Sequence, residues 1–423
     1  NLKEDTTILS LLNFNEIKLF ASAMGQHNLI SIFKKGFDEN TKAKTLFTKS
    51  KGFADSNEIE KILSFKDTNT DYFELSQDEI FEGKENYIRI GGSSGGNDEL
   101  SSIFMALKKN DLLGDICFVR QGLRTGVDKI SDTHINKFKY KGNKGEGVFI
   151  LSSEELKKKG ISIENPIVKP LFKNSDVNKY LTNENTNQYL LYIDGNVTLD
   201  RLINDNINIY NHLVNYKELI QKIRYGNNED SENWFKLDRT REQWLFEGEK
   251  IVAPQRSKSN TFGYNNISWY SSADVYYIKT KDKRYNLKYI LALLNSKLFF
   301  LWLSYKGKRK GDMLELYQKP LSEIPIIFST EMKLFEYIID LILYTKSKST
   351  SSINDIVKND HIASFFEEVI DGCIFELYFE EHMKEKGINI MDDVKKYMDA
   401  SGLTQDFENI DEELKKQKIW ELY

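Results

Sequence analysis

The apolar positions change period along this chain. Near the start, Ile8–Phe14 and Asn28–Phe33 read as strands, yet two strands are too few to form an independent sheet. Short strand-like pieces follow at Asp71–Leu75 and Tyr87–Ile90 within a polar, charged stretch. Residues 113–129 read as a strand running into a turn, with Gly122 and Gly126 placed for close backbone approach. Gly147–Leu151, Val168–Phe172 and Tyr189–Ile193 predict a mixed sheet, with a Lys-rich helix at Ser153–Lys159. Leu202, Ile209, Leu213, Tyr216, Ile220 and Ile223 then recur at helical spacing.

The stretch from Glu249 to Ile278 predicts a hairpin. Ile251-Val252-Ala253 is a short apolar strand ended by Pro254, and Ala273–Ile278 is β-branched and aromatic. Between them lies a polar loop and then an Asn265-Asn266 pair, which tolerates positive φ and suits a tight reversal. Beyond it, Asn286–Trp302 predicts one long apolar helix, dented near its middle by Asn295-Ser296. From Glu331 onward the spacing is helical, with helices at Met332–Tyr344 and Ile362–Met383 and a charged helical remainder. The pattern as a whole predicts a mixed α/β (α+β) fold of curved mixed sheets with packed helices. It divides into residues 1–99, a mixed α/β region at 100–330 and a helical C-terminal region at 331–423.

Composition narrows the function classes. At 423 residues, with 40% hydrophobic content, the chain is long enough for two or three domains. Its net charge of −5 rules out a uniformly basic nucleic-acid binder, so any phosphate-binding surface must be a local patch. Two cysteines exclude a disulfide scaffold and any multi-cysteine zinc site, and they fit a reducing, cytoplasmic setting. The longest apolar run, around Tyr289–Trp302, is interrupted by Asn295 and Lys297, so no membrane partner is expected. The chain begins at Asn1 with no signal peptide and no methionine, and is expected to be a fragment with something upstream.

Three places carry candidate chemistry. In the predicted hairpin, Gln255, Arg256, Lys258 and Asn260 supply planar or cationic donors, while Tyr264, Trp269 and Tyr270 supply rings that stack or wedge. Arg256 brings a fork that matches guanine; an internal salt bridge to Asp274 or Glu249 is the alternative. The same rings also suit an ordinary hairpin whose aromatics fill a core. Around the glycine turn, Arg120, Gln121, Arg124, Thr125 and Lys129 suit a phosphate backbone, or simply a solvated loop. Lys306, Lys308, Arg309 and Lys310, set between glycines, predict a mobile positive loop that neutralises phosphates, with a solvated charge run as the alternative. Elsewhere the signals are bland. Gly91–Gly96 is followed by Asp98-Glu99 and reads as a linker, His27 has no catalytic companion, and Glu367, Glu368, Asp371 and Glu376 read as a solvated helix face rather than metal ligands.

Eight strings occur in order between residues 120 and 326: R-Q-G-L-R-T-G-V-D-K, I-V-K-P-L-F-K-N-S-D-V-N-K-Y, K-I-V-A-P-Q-R, F-G-Y-N, Y-S-S-A-D-V-Y, L-L-N-S-K-L, Y-K-G-K-R-K-G and P-L-S-E-I-P-I. Together they resemble the TaqI-like target-recognition domain of bacterial N6-adenine DNA methyltransferases, including fused type IIG restriction–modification enzymes. Residues 365–379 resemble the helical end of those fused enzymes, and the opening residues resemble the last hairpin of their methyltransferase domain. The resemblance implies sequence-specific binding of double-stranded DNA and a methyltransferase catalytic domain as partner, in cis or in trans. The family's Asn/Asp-Pro-Pro-Tyr/Phe motif is missing, because the prolines at 166, 170, 254, 320 and 325 are never adjacent. No glycine turn suits S-adenosylmethionine, so that cofactor is expected in the missing catalytic domain and the fragment itself is expected to be non-catalytic. An accessory subunit that docks a partner through residues 331–423 is the rival reading; for a nuclease no carboxylate–lysine constellation is found.

Overall fold

Sequence alternation becomes a sheet at once in the N-terminal part of the computed structural model, which describes residues 2–20, 28–82, 86–88, 90, 98–226, 232–347, 351–404 and 407–423. The chain divides into two units, Asn1–Lys108 and Lys109–Tyr423. In the first, β1 (Thr6–Asn13), β2 (Leu29–Lys35) and β3 (Ala43–Thr48) are followed by helix α1 (Ser56–Leu63) and β4 (Thr70–Leu75). The sheet order is β2-β1-β3-β4, so the two expected strands gain two neighbours. β1 buries residues on both faces: Ile8 and Leu11 pack with Ala43, Leu75 and Ile80, and Leu12 packs with Phe14, Leu46 and Ile62. Gln77 is buried beneath, its amide bonded to both the N–H and the carbonyl of Ile8 at 2.9 Å. His27 and Gly91–Gly96 lie outside the described residues.

The second unit opens with β5 (Cys117–Gln121), β6 (Ile150–Ser152), α2 (Ser153–Lys158), β7 (Val168–Phe172), β8 (Tyr180–Leu181) and β9 (Gln188–Leu191). The helical run then divides into α3 (Leu199–Asp205), α4 (Ile207–Val214) and α5 (Lys217–Tyr225). Next come β10 (Lys250–Pro254), β11 (Arg256–Ser257), β12 (Gly263–Asn265), β13 (Tyr270–Ser271) and β14 (Val275–Thr280). All of these strands but β11 make two sheets. One has the order β5-β14-β10-β12-β8 and the other β6-β9-β7-β13.

The expected hairpin is therefore wrong in one respect. β10 does pair antiparallel with β14, from Ile251↔Ile278 to Pro254↔Val275. Yet the chain between them does not reverse tightly at Asn265-Asn266. It leaves the first sheet after β12 and enters the second as β13, parallel to β7. The physical reason is burial. Trp269 and Tyr270 drop into the core, where Trp269 stacks on Phe172 with ring centroids 4.9 Å apart, and Tyr270 stacks on Phe246 at 4.5 Å.

The apolar run at 286–302 is also not one helix. It forms α6 (Leu287–Asn295) and α7 (Lys297–Tyr305), bent by 65°. Ser296 caps α7 by accepting from Phe299 N–H, and most of α6 is buried. Among the described residues, no single helix is long and apolar enough to cross a membrane. After α7 come β15 (Lys308–Lys310) and β16 (Met313–Glu315), which form a three-stranded sheet in the order β11-β16-β15. The expected mobile basic loop is thus a β-hairpin, turning at Gly311-Asp312 with Gly311 at φ +58°. The C-terminal helices are α8 (Met332–Lys346), α9 (Asn359–Tyr378), α10 (Ile390–Ser401) and α11 (Glu412–Leu422). Ile338, Ile339 and Ile342 of α8 and Phe366, Ile370 and Ile374 of α9 are buried, α8 packing on both α6 and α9.

Candidate nucleic-acid interface

Gly122 allows two segments to touch. Its N–H donates to Val275 O at 2.9 Å, and a Cβ at this position would lie 2.3 Å from Ser272 O. Loop 121–129 is thereby pressed against residues 271–275. Gln255 joins them through its N–H, which donates to Asp274 O at 2.7 Å. These segments border an open cavity of about 960 Å³, lined by Gln121, Arg124, Thr125, Lys129 and Gln255 among others. Five residues singled out in the sequence, from two distant stretches, therefore share one concavity. Acceptors line it as well, in Asp128, Asp238 and Asp274. Thr125 is buried and its hydroxyl donates to Asp128, so it shapes the loop rather than reaching outward. Lys129 donates to Gln188 Oε1 at 2.7 Å.

Arg224 was not singled out. At Gly126, where φ is +88°, its guanidinium stands 2.7 Å from where a Cβ would be. It donates to the carbonyls of Thr125 and Lys236, each at 2.5 Å, and to Trp234 O at 3.3 Å. Burial holds its pKa below the ordinary arginine value, with Tyr225 and Asp238 acting against that shift. In the sequence Arg224 was one polar position in a helical run; only the fold brings the loops it clamps to it.

Strand alternation separates Arg120 from Gln121. Arg120 points to the other face of β5, its guanidinium 5.9 Å from the Phe118 ring. There Phe118 meets Trp244 edge-on at 5.1 Å, and Lys281 lies 5.3 Å from the Phe118 ring. Arg239 forms a two-way backbone bridge with Arg124 at 2.9 Å. Arg241 Nε donates to Gln121 O at 2.9 Å. Burial, then the charges of Arg239 and Arg120, lower the Arg241 pKa. Four arginines thus gather around the end of β5 in a chain whose net charge is −5, a local positive patch of the kind the composition required.

The three-stranded sheet aligns Arg256 and Lys308 on either side of Glu315. Arg256 Nε donates to Glu315 Oε1 at 3.0 Å, and Lys308 Nζ lies 3.1 Å from Oε2. The salt bridge of Arg256 is therefore to Glu315, not to Asp274 or Glu249. Burial opposes the Glu315 charge, but hydrogen bonds from Tyr317, Lys308 and Arg256 hold its pKa below the ordinary value. Lys258, Arg309 and Lys310 are exposed, and Lys306 is half-buried.

Other expected contacts are corrected by burial. Trp269 and Tyr270 are fully buried, so neither stacks on a base; the Tyr270 hydroxyl donates to Glu247 at 2.8 Å. Tyr264 is half-buried and donates to Glu249 at 2.7 Å. Asn260 is buried, donating to Leu294 O at 2.7 Å and Ser296 O at 2.8 Å, where it supports the bend between α6 and α7. The acidic residues of α9 do not form one solvated face. Glu367 bridges Lys179 at 2.6 Å and Lys346 at 2.9 Å, and Asp371 accepts from Lys297 N–H at 2.8 Å. Glu376 accepts from the N–H groups of Ile390 and Met391 at 2.6 and 2.8 Å. Among the described residues no group of His, Cys, Asp or Glu could hold a metal ion.

The sheets thus present arginines and amides around one open cavity. Residues 169–326 match the family model of the TaqI-like C-terminal specificity domain. The type II methyltransferase M.HincII of Haemophilus influenzae is 32% identical over 189 residues, covering 41% of this chain and 36% of that protein. M.HindII, from Haemophilus influenzae strain Rd, is 30% identical over 185 residues, covering 40% and 35%. The chain thus spans about a third of the length of the curated relatives it matches. Among solved structures, the type IIL restriction-modification enzyme MmeI in complex with DNA aligns at TM-score 0.49 and 15% identity, over 88% of this chain and 43% of that one. The type IIG restriction endonuclease BpuSI aligns at 0.38 and 12%, over 90% and 45%.

Proposed function

We propose that residues 109–423 bind duplex DNA at a specific sequence, as the specificity part of an adenine N6 methyltransferase or restriction–modification enzyme. The target adenine is presented to a catalytic domain supplied in cis or in trans. The observation that carries this reading is the convergence of Gln121, Arg124, Lys129 and Gln255 on one open cavity, with Arg120, Arg239 and Arg241 clustered beside Arg124. Amide and guanidinium groups supply the donors that base edges and phosphates accept, and the aspartates supply acceptors for exocyclic amino groups. S-adenosylmethionine belongs to the catalytic domain in this reading, since no strand followed by a glycine turn in this sequence suits it. Flipping a base costs a few kcal/mol of unstacking, which recognition contacts must offset.

The test is a binding-site selection from random duplexes with the full chain, repeated across salt concentrations. The expected result is one enriched sequence containing adenine, with affinity falling steeply as salt rises. Equal binding of all sequences, or no binding, would overturn the reading; a consensus without adenine would remove its adenine part.

A further inference from the structure

Arg256 is held along only one of its edges. The guanidinium carries five N–H donors, arranged as a side edge (Nε and Nη2) and an end edge (Nη1 and Nη2). Nε donates to Glu315 Oε1 at 3.0 Å, and Nη2 donates to the Tyr317 hydroxyl at 2.7 Å. The Tyr317 hydroxyl in turn donates to Glu315 Oε1 at 2.9 Å, closing a ring of three groups. The side edge is thus fully used by partners within the protein. Glu315 is anchored from beneath, with a side chain only 6% exposed, whereas the Arg256 side chain is 42% exposed.

We propose that Glu315 and Tyr317 are positioning residues that fix Arg256 so that its end edge reads a guanine in the major groove. This rests on the DNA-binding reading above. The end edge offers two parallel N–H groups, matching the adjacent O6 and N7 acceptors of guanine. Adenine places an amino donor where guanine has O6, so it cannot accept both. A guanidinium already fixed in place loses little rotamer freedom on binding, and that rigidity converts a contact into discrimination. The charge arrangement also favours a base over a phosphate. Glu315 stands between Arg256 and Lys308, so its carboxylate cancels part of the row's positive charge and weakens the row's pull on a phosphate. Exposed Arg309 and Lys310, on the neighbouring strand, are better placed for phosphates.

The experiment is binding-site selection and thermal melting on the full chain, comparing the native protein with Tyr317→Phe, Glu315→Gln and Arg256→Lys. Tyr317→Phe keeps the ring and the net charge, and removes only the hydroxyl. The expected result is a guanine preference at one position in the native protein, reduced about tenfold in all three variants, with the other positions unchanged. For Tyr317→Phe the melting temperature and salt slope stay at the native values. Guanine preference that survives both Tyr317→Phe and Glu315→Gln would overturn the proposal. So would an equal loss at every position accompanied by a lowered melting temperature, the signature of a merely structural network. A native protein with no sequence preference would instead overturn the DNA-binding reading itself, and the proposal with it.

Discussion

His212 sets an acid limit on the stability of the second unit. The ring is 3% exposed, donates from Nε2 to Val148 O at 2.8 Å, and lies 5.1 Å from the Tyr216 ring. Burial pushes its pKa down to about 4; the Val148 bond opposes the shift, Lys159 adds to it, and Glu146 and Glu155 oppose it. In the unfolded chain the same imidazole takes a proton near its ordinary pKa of about 6.5. Between those values the unfolded state binds more protons, so stability falls as pH drops through this window and the loss is complete below about 4. The shift corresponds to a loss on the order of 3 kcal/mol. His212→Gln, whose amide can still donate to Val148 O, is expected to lose less stability than the native protein between pH 7 and 4.5. Urea titrations at the two pH values measure this, and equal losses in both proteins would refute the assignment.

At the scale of elements, the bend between α6 and α7 is held by two asparagines. Asn295 accepts from Phe262 N–H at 3.1 Å and donates to Phe262 O at 2.9 Å, while Asn260 donates to the carbonyls of Leu294 and Ser296. Removing either amide leaves buried backbone groups unpaired, at a cost of about 1–3 kcal/mol for each such group. Asn260→Ala and Asn295→Ala should each lower the urea midpoint, and the double variant should lose less than the sum, because both amides serve the same junction. Strict additivity would show that they act separately. This junction also marks where the sequence stopped being legible. The strands at 117–121, 168–172, 251–253 and 275–278 announce themselves through β-branched and aromatic residues, and the dent at Asn295-Ser296 was visible. Nothing local said that the dent is a sharp bend, since the partners of those amides lie more than thirty residues away. Likewise, Trp269 and Tyr270 read equally well as exposed wedges or as core. The stacks with Phe172 and Phe246 decide between them, and those exist only once two sheets meet.

Over the whole molecule, charge is sorted rather than balanced. The carboxylates of α9 tie the C-terminal helices to the start of β8 and to α7, through Glu367 with Lys179 and Asp371 with Lys297, whereas Arg120, Arg124 and Arg239 at the end of β5 are exposed. In the basic hairpin Lys308 is partly neutralised by Glu315, and under the proposed function exposed Arg309 and Lys310 are the residues expected to position a duplex without reading it. Each phosphate contact on duplex DNA contributes about −0.9 to the slope of log affinity against log salt. Replacing both Arg309 and Lys310 by Gln should therefore flatten that slope by up to about two. Binding should weaken alike on every sequence, because phosphates are the same at every step. The melting temperature should stay nearly constant, since both side chains are exposed and substitutions at such surface sites usually change stability by less than about 0.5 kcal/mol. Titrations of the double variant against selected and scrambled duplexes, at three or more salt concentrations, separate the roles. A slope that stays at the native value while preference for the selected duplex collapses would make these residues readers, and would move the positioning role elsewhere on the surface.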